Sequence, residues 1–207
     1  MASSFKKNLL KGKPIHVISY KMFLKISKGR KVIILRGYFG LGYEDVAIIK
    51  EHIRYLVRIK GDHTFYVFQG KKGGIENAMN WIPKYAMEFG LNHIKTVGFL
   101  STIAKRKTFL CPDYLVVSNE KTNTMVKMAE DTQSEMIYFK GGFSTKEEIE
   151  EGLDRGVHIT LFNDPRISPK YKIQIQKSGL PIDGTKGFLG QQKKYSNLRV
   201  IEFSDFP

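Results

Sequence analysis

Hydrophobic and polar positions along the chain switch repeatedly between two periods. Lys31-Val-Ile-Ile-Leu-Arg-Gly37 is a continuous apolar run closed by glycine, the pattern of a strand buried on both faces. Residues 44–59 follow with apolar side chains at Val46, Ile49, Ile53 and Leu56, one face of a helix, with Glu44 and Asp45 suited to its positive N-terminal end. Thr64–Gly70 predicts a second strand. A helical stripe comes next, through Ile75, Ala78, Met79, Ile82, Tyr85, Ala86 and Phe89, ended by Gly90. Pro83 falls inside that stripe and predicts a kink or a late restart. Further strands are expected at Ile94–Leu100, Tyr114–Ser118, Glu135–Lys140 and His158–Phe162, with helices over 121–132 and 144–155. Weaker signals add a strand at His16–Tyr20 and another at Leu198–Phe203.

Short apolar strands separated by helices of this length are the signature of βαβ units. The expected fold class is therefore α/β, a mostly parallel central sheet with helices on both faces and right-handed crossovers. The expected organisation is a basic extension over 1–30, a Rossmann-like nucleotide-binding core over 31–165 and a second basic extension over 166–207 that holds an extra strand.

The chain has 207 residues, enough for a full core without a disulfide or metal staple. One cysteine, Cys111, excludes an internal disulfide framework and any multi-cysteine zinc site. No apolar run approaches membrane-spanning length, so no membrane partner is expected. Residues 1–10 carry no apolar stretch of the secretory type, which makes a cytoplasmic location the expectation. The five histidines, His16, His52, His63, His93 and His158, show no metal-ligand spacing, and no metal or resident cofactor is predicted. Trp81 reads as a helix-packing residue.

Charge changes the picture. The net charge is +14, and it is concentrated at the ends. Residues 1–36 hold ten basic residues and no acid, residues 37–165 hold 16 basic and 17 acidic residues, and residues 166–207 hold eight basic and three acidic ones. Such ends attract polyanions, either nucleic acid or nucleotide phosphates, though lysine-rich ends also serve solubility alone.

In open α/β sheets, ligands bind beyond the carboxyl ends of the strands. Here those ends are rich in glycine and hydroxyls: Gly37, Gly40 and Gly42; Gly70, Gly73 and Gly74; Ser101; Ser118; then Gly141, Gly142, Ser144 and Thr145. Glycine lets backbone N–H groups approach an anion, and a helix N-terminus beyond it offers unpaired donors and partial positive charge. Strand-to-helix turns use glycine for geometry too, so the reading rests on three such loops together. Ser144 and Glu147 fit a capping box. Glu148 stands one position on, where a carboxylate either complements the helix dipole or faces the crevice to polarise a water or bind a ribose hydroxyl. Lys105-Arg106-Lys107 reads as either a phosphate-steering cluster or a solvated loop.

Two of these segments resemble a known family. Lys140 to Glu148 is similar to the PGGxGTxxE motif of the Lonely Guy proteins, once described as lysine decarboxylases, within the SLOG superfamily. Phe68 to Met79 resembles their GGG-x-x-G-[LIV]-M segment, and the likeness spans about residues 31–162. It implies a Rossmann-like three-layer fold that binds a nucleotide or nucleotide-derived signal, commonly as a homo-oligomer. In the enzymes of the family it implies hydrolysis of the N-glycosidic bond of nucleoside 5′-monophosphates; other members bind single-stranded DNA. By carry-over, Gly141, Gly142, Ser144 and Thr145 would hold the phosphate and Glu148 would be catalytic. The departures are Lys140 for proline, Ser144 for glycine, and no arginine in 121–125, where the enzymes carry one. These weigh against hydrolysis more than against binding. Binding through the basic termini to nucleic acid is the third reading.

Overall fold

A computed structural model describes residues 15–37, 43–69, 75, 79–101, 112–118, 124–141, 143–167 and 185–202. Its elements, in chain order, are β1 (His16–Ser19), α1 (Tyr20–Ile26), β2 (Lys31–Gly37), α2 (Tyr43–Lys60), β3 (Thr64–Gln69), α3 (Ile82–Glu88), β4 (Lys95–Ser101), β5 (Tyr114–Ser118), α4 (Met125–Thr132), β6 (Glu135–Phe139), α5 (Phe143–Asp154), β7 (His158–Asn163) and β8 (Leu198–Glu202). Two short 3₁₀ turns, Lys186–Phe188 and Gln191–Lys193, precede β8.

The eight strands form one sheet in the order β1-β5-β4-β3-β2-β6-β7-β8, and every neighbouring pair is parallel. The expected α/β architecture is the observed one. Parallel strands need both faces covered, and two apolar layers do this. Along β2, Val32 and Ile34 enter one layer while Ile33 and Leu35 enter the other. The first layer packs under α1, α4 and α5 through Phe23, Met125, Met128, Ala129, Ile149 and Leu153. The second packs under α2 and α3 through Ile49, Ile53, Leu56, Val57 and Ile82. Each such Val, Leu, Ile, Phe or Met side chain taken out of water contributes about 1.5–3 kcal/mol.

The two weaker strand signals are present: β1 pairs with β5, and β8 pairs with β7. The helix after β1 also joins the core, with Phe23 fully buried in the first layer. Of the kink or late restart expected at Pro83, the restart is observed: α3 opens at Ile82, with Pro83 in its first turn, where its missing N–H costs nothing. Among the described residues no helix is long and apolar enough to cross a membrane.

Candidate functional site

Connectivity singles out one place on the sheet. From β2 the chain steps outward through β3, β4 and β5, then crosses back to place β6 on the other side of β2. The helix after β2 covers one face and the helix after β6 covers the other. The two connections therefore part at the carboxyl ends of β2 and β6, the position at which open α/β sheets bind ligands.

Side chains of unusual chemistry meet at this point. Arg36, next to last in β2, stands opposite Tyr138 of β6 in register. Arg36 Nε donates to Glu148 Oε2 of α5 at 2.8 Å, with the two side chains 18% and 16% exposed. Strand alternation sends Arg36 to the face that α5 covers, the same face as Val32 and Ile34. Tyr138 is fully buried, and its phenol is pushed well above the ordinary tyrosine range, first by burial and then by the negative charge of Glu148. It stays a neutral hydroxyl at any physiological pH. The cluster is thus an ion pair backed by an un-ionised phenol.

The turn from β6 into α5 has its own geometry. Lys140 is buried and adopts φ 57°, the left-handed region. Proline, locked near φ −65°, cannot take that conformation. The lysine at this motif position therefore marks a different turn from one built on proline. Lys140 Nζ donates to Asn163 Oδ1 at 3.4 Å, and Asn163 Nδ2 donates to Glu202 Oε2 at 2.7 Å, linking the carboxyl ends of β6, β7 and β8. At Gly141 an added β-carbon would lie 2.2 Å from Thr145 Oγ1 and 2.5 Å from Thr145 Cβ. Only glycine fits, because the Thr145 side chain folds back over the turn.

Gly37 is constrained for a similar reason. A β-carbon there would meet the Phe139 carbonyl at 3.0 Å and Ile75 Cβ at 3.2 Å. Ile75 therefore packs against the end of β2. Gly37, Gly141, Thr145 and Glu148 thus gather around β2 and β6. Ser118, buried at the end of β5, pairs in register with Ser101 of β4. With β5 three strands from β2, Ser118 is roughly 14 Å away across the sheet and outside this cluster. Gly40, Gly42, Gly70, Gly73, Gly74, Gly142, Cys111 and the Lys105–Lys107 cluster lie outside the described residues.

Ser144 is a correction. The helix starts at Phe143, so Ser144 lies inside its first turn and is exposed, and Ser144 with Glu147 does not form the expected capping box. Glu148 consequently falls in the second turn, which is what brings it level with Arg36. Arg36 and Tyr138 were not singled out from sequence, and Lys140 stood out only as a departure from the motif. The available signal was a lone charged residue beside a strand-closing glycine: Arg36 before Gly37 and Lys140 before Gly141.

A second buried polar group lies near the exit of β7. His52 Nε2 donates to Asp164 Oδ2 at 2.9 Å, both side chains 1% exposed, and Asp164 also accepts from Arg166 Nη2 at 2.7 Å. Burial lowers the His52 pKa against the opposing pull of Asp164. Asp164 is held below the usual carboxylate range because its hydrogen bonds from Arg166 and His52 outweigh its own burial. Two shallow depressions, of about 380 and 440 Å³, lie at the opposite, amino-terminal end of the strands, lined by residues such as Gln133, Arg155 and His158 or Lys60, Glu135 and Arg199.

No protein-family model and no curated protein sequence matches the chain. Among solved structures, the molybdenum cofactor carrier protein MCP from Chlamydomonas reinhardtii is similar, with a TM-score of 0.50, 14% identity, and coverage of 83% of this chain and 89% of that one. A likeness at that identity concerns the backbone alone: both chains carry the same Rossmann-like α/β fold.

Proposed function

We propose that this chain is a divergent SLOG-type protein that binds a nucleotide or nucleotide-derived ligand in the crevice between β2 and β6. The single observation that carries the reading is the Arg36–Glu148 pair at the point where the strand order reverses. The pair is partly shielded from water, which costs desolvation, and it stands where this fold binds ligands. The phosphate would lie against the first turn of α5, near Gly141 and Thr145, where backbone donors and the helix dipole favour an anion. Glu148 would then face the sugar. The solved neighbour is named for carrying a cofactor, which supports small-molecule binding on this scaffold, though a fold alone does not assign a ligand.

Hydrolysis of a nucleoside 5′-monophosphate is the second reading, and one observation favours it. The guanidinium missing from residues 121–125 is supplied beside Glu148 by Arg36 of β2 instead. Glu148 would polarise the attacking water, and the guanidinium would steady its carboxylate.

Thermal unfolding of the full chain with nucleoside mono-, di- and triphosphates tests the first reading. A raised melting temperature with at least one class, lost in Arg36→Ala, is the expected result. A folded protein whose melting temperature none of them moves contradicts it. Chromatography for free base after incubation with nucleoside monophosphates tests the second; release that survives Glu148→Gln unchanged removes the mechanism.

A further inference from the structure

The amino-terminal ends of β3 and β4 bring together three residues that sequence spacing keeps apart. Asp62 and His63 lie between α2 and β3; His93 lies between α3 and β4. Because β3 and β4 are adjacent and parallel, the two lead-in loops meet. Asp62 Oδ1 accepts the backbone N–H of His93 at 2.7 Å, and Asp62 Oδ2 accepts its ring Nδ1–H at 2.9 Å. Asp62 Oδ2 and His93 Nδ1 stand at about the separation of neighbouring donors on a tetrahedral metal ion, so an ion could take the place of the proton between them. His63 takes a left-handed backbone, φ 58°, and its ring lies parallel to that of His93 with centroids 4.4 Å apart.

We propose that Asp62, His63 and His93 form a binding site for one divalent transition-metal ion of the zinc class, completed by water. One donor atom from each of the three lies within 4.8 Å of the others. Two donors on a tetrahedral zinc with bonds near 2.0–2.1 Å stand about 3.3 Å apart, so side-chain rotation of the order of an ångström closes the site. All three side chains are at least partly exposed, so an ion reaches them without opening the core. Two imidazoles and a carboxylate suit Zn²⁺, Ni²⁺ or Cu²⁺ and not the oxygen-seeking Mg²⁺ or Ca²⁺. The site is at the end of the sheet opposite to the β2–β6 crevice and does not depend on the nucleotide reading. The histidine spacing that predicts no metal site is a statement about the chain, whereas the fold supplies the proximity.

The test is calorimetric titration of the chelator-treated full chain with ZnCl₂, and with MgCl₂ as the contrast. The expected result is one zinc per chain, no magnesium binding, and at least a tenfold loss of zinc affinity in each of His63→Asn and His93→Gln. Asparagine tolerates the left-handed backbone at residue 63, so the first variant removes the ring without straining the loop. His158→Ala, at a site away from the three, is expected to bind as the parent does. Absence of zinc binding, or binding that persists undiminished in the doubly substituted chain with an unchanged circular dichroism spectrum, overturns the proposal. Co²⁺ absorption gives a second readout: visible bands that vanish in the same two variants are expected, and bands retained in both count against the site.

Discussion

Arg36 and Glu148 are 112 residues apart in sequence and 2.8 Å apart in space, and their pairing ties the end of β2 to the second turn of α5. Removing either side chain alone leaves a poorly solvated charge. Arg36→Ala and Glu148→Ala are each expected to lower stability by about 1–3 kcal/mol. The double substitution should cost less than the sum, because neither charge is then stranded. Urea unfolding of the four proteins measures the coupling. Additive losses would mean that the pair contributes nothing beyond its separate side chains.

Thr145 occupies the space that a side chain on Gly141 would need. Gly141→Ala is expected to destabilise the protein by about 1–3 kcal/mol through overpacking. Thr145→Ala in that background should recover only part of the loss, since Thr145 Cβ itself stands 2.5 Å from where the new methyl would lie. Denaturant midpoints of the single and double variants decide this.

Lys140 gives a test by substitution toward the motif it resembles. Lys140→Pro places a residue locked near φ −65° where the backbone has φ 57°. A loss of about 3 kcal/mol is expected, whereas Lys140→Gly, which adopts the left-handed region freely, should lose far less. A melting-temperature comparison of the two suffices. A neutral proline variant would show that this turn takes the motif's own geometry.

The His52–Asp164 pair makes stability depend on pH. His52 has a folded pKa below its ordinary 6.5, so the unfolded chain binds the extra proton more readily as pH falls. Its contribution is complete above about pH 6.5 and is lost as pH falls from there toward the folded value. Asp164, also lowered, adds a further loss in more acidic solution, below its ordinary 3.8. Unfolding free energies from pH 7.5 to 5 should therefore decline, and His52→Gln should flatten the slope between pH 6.5 and 5. A slope unchanged by that substitution would assign the acid sensitivity elsewhere.

What could be read in the sequence follows from how each residue is held. β2, β5 and the body of α2 were legible because strands and helices buried against apolar layers leave local periodicity; Lys31–Gly37 and Tyr114–Ser118 have the expected bounds. The start of α5 was off by one residue because Ser144 and Glu147 satisfy a capping pattern that the backbone does not use. Gly141 and Glu148, which belong to the proposed site, were picked out by their motif spacing. Arg36 was not, because its partner is set by which strand lands beside β2, a property of topology. The same reason hid Lys140–Asn163 and the approach of His93 to Asp62. β1 gave a faint signal because it is an edge strand with mostly exposed side chains.

The central claim is that the ligand crevice lies between the carboxyl ends of β2 and β6. The most direct measurement is a nitrogen-15 NMR titration of the full chain with a nucleoside 5′-monophosphate. The account predicts amide shifts concentrated at Gly37, Lys140, Gly141 and Thr145, and their loss in Arg36→Ala. Shifts confined to the opposite end of the sheet, around Gln133, Gly156 and Leu198, would contradict it.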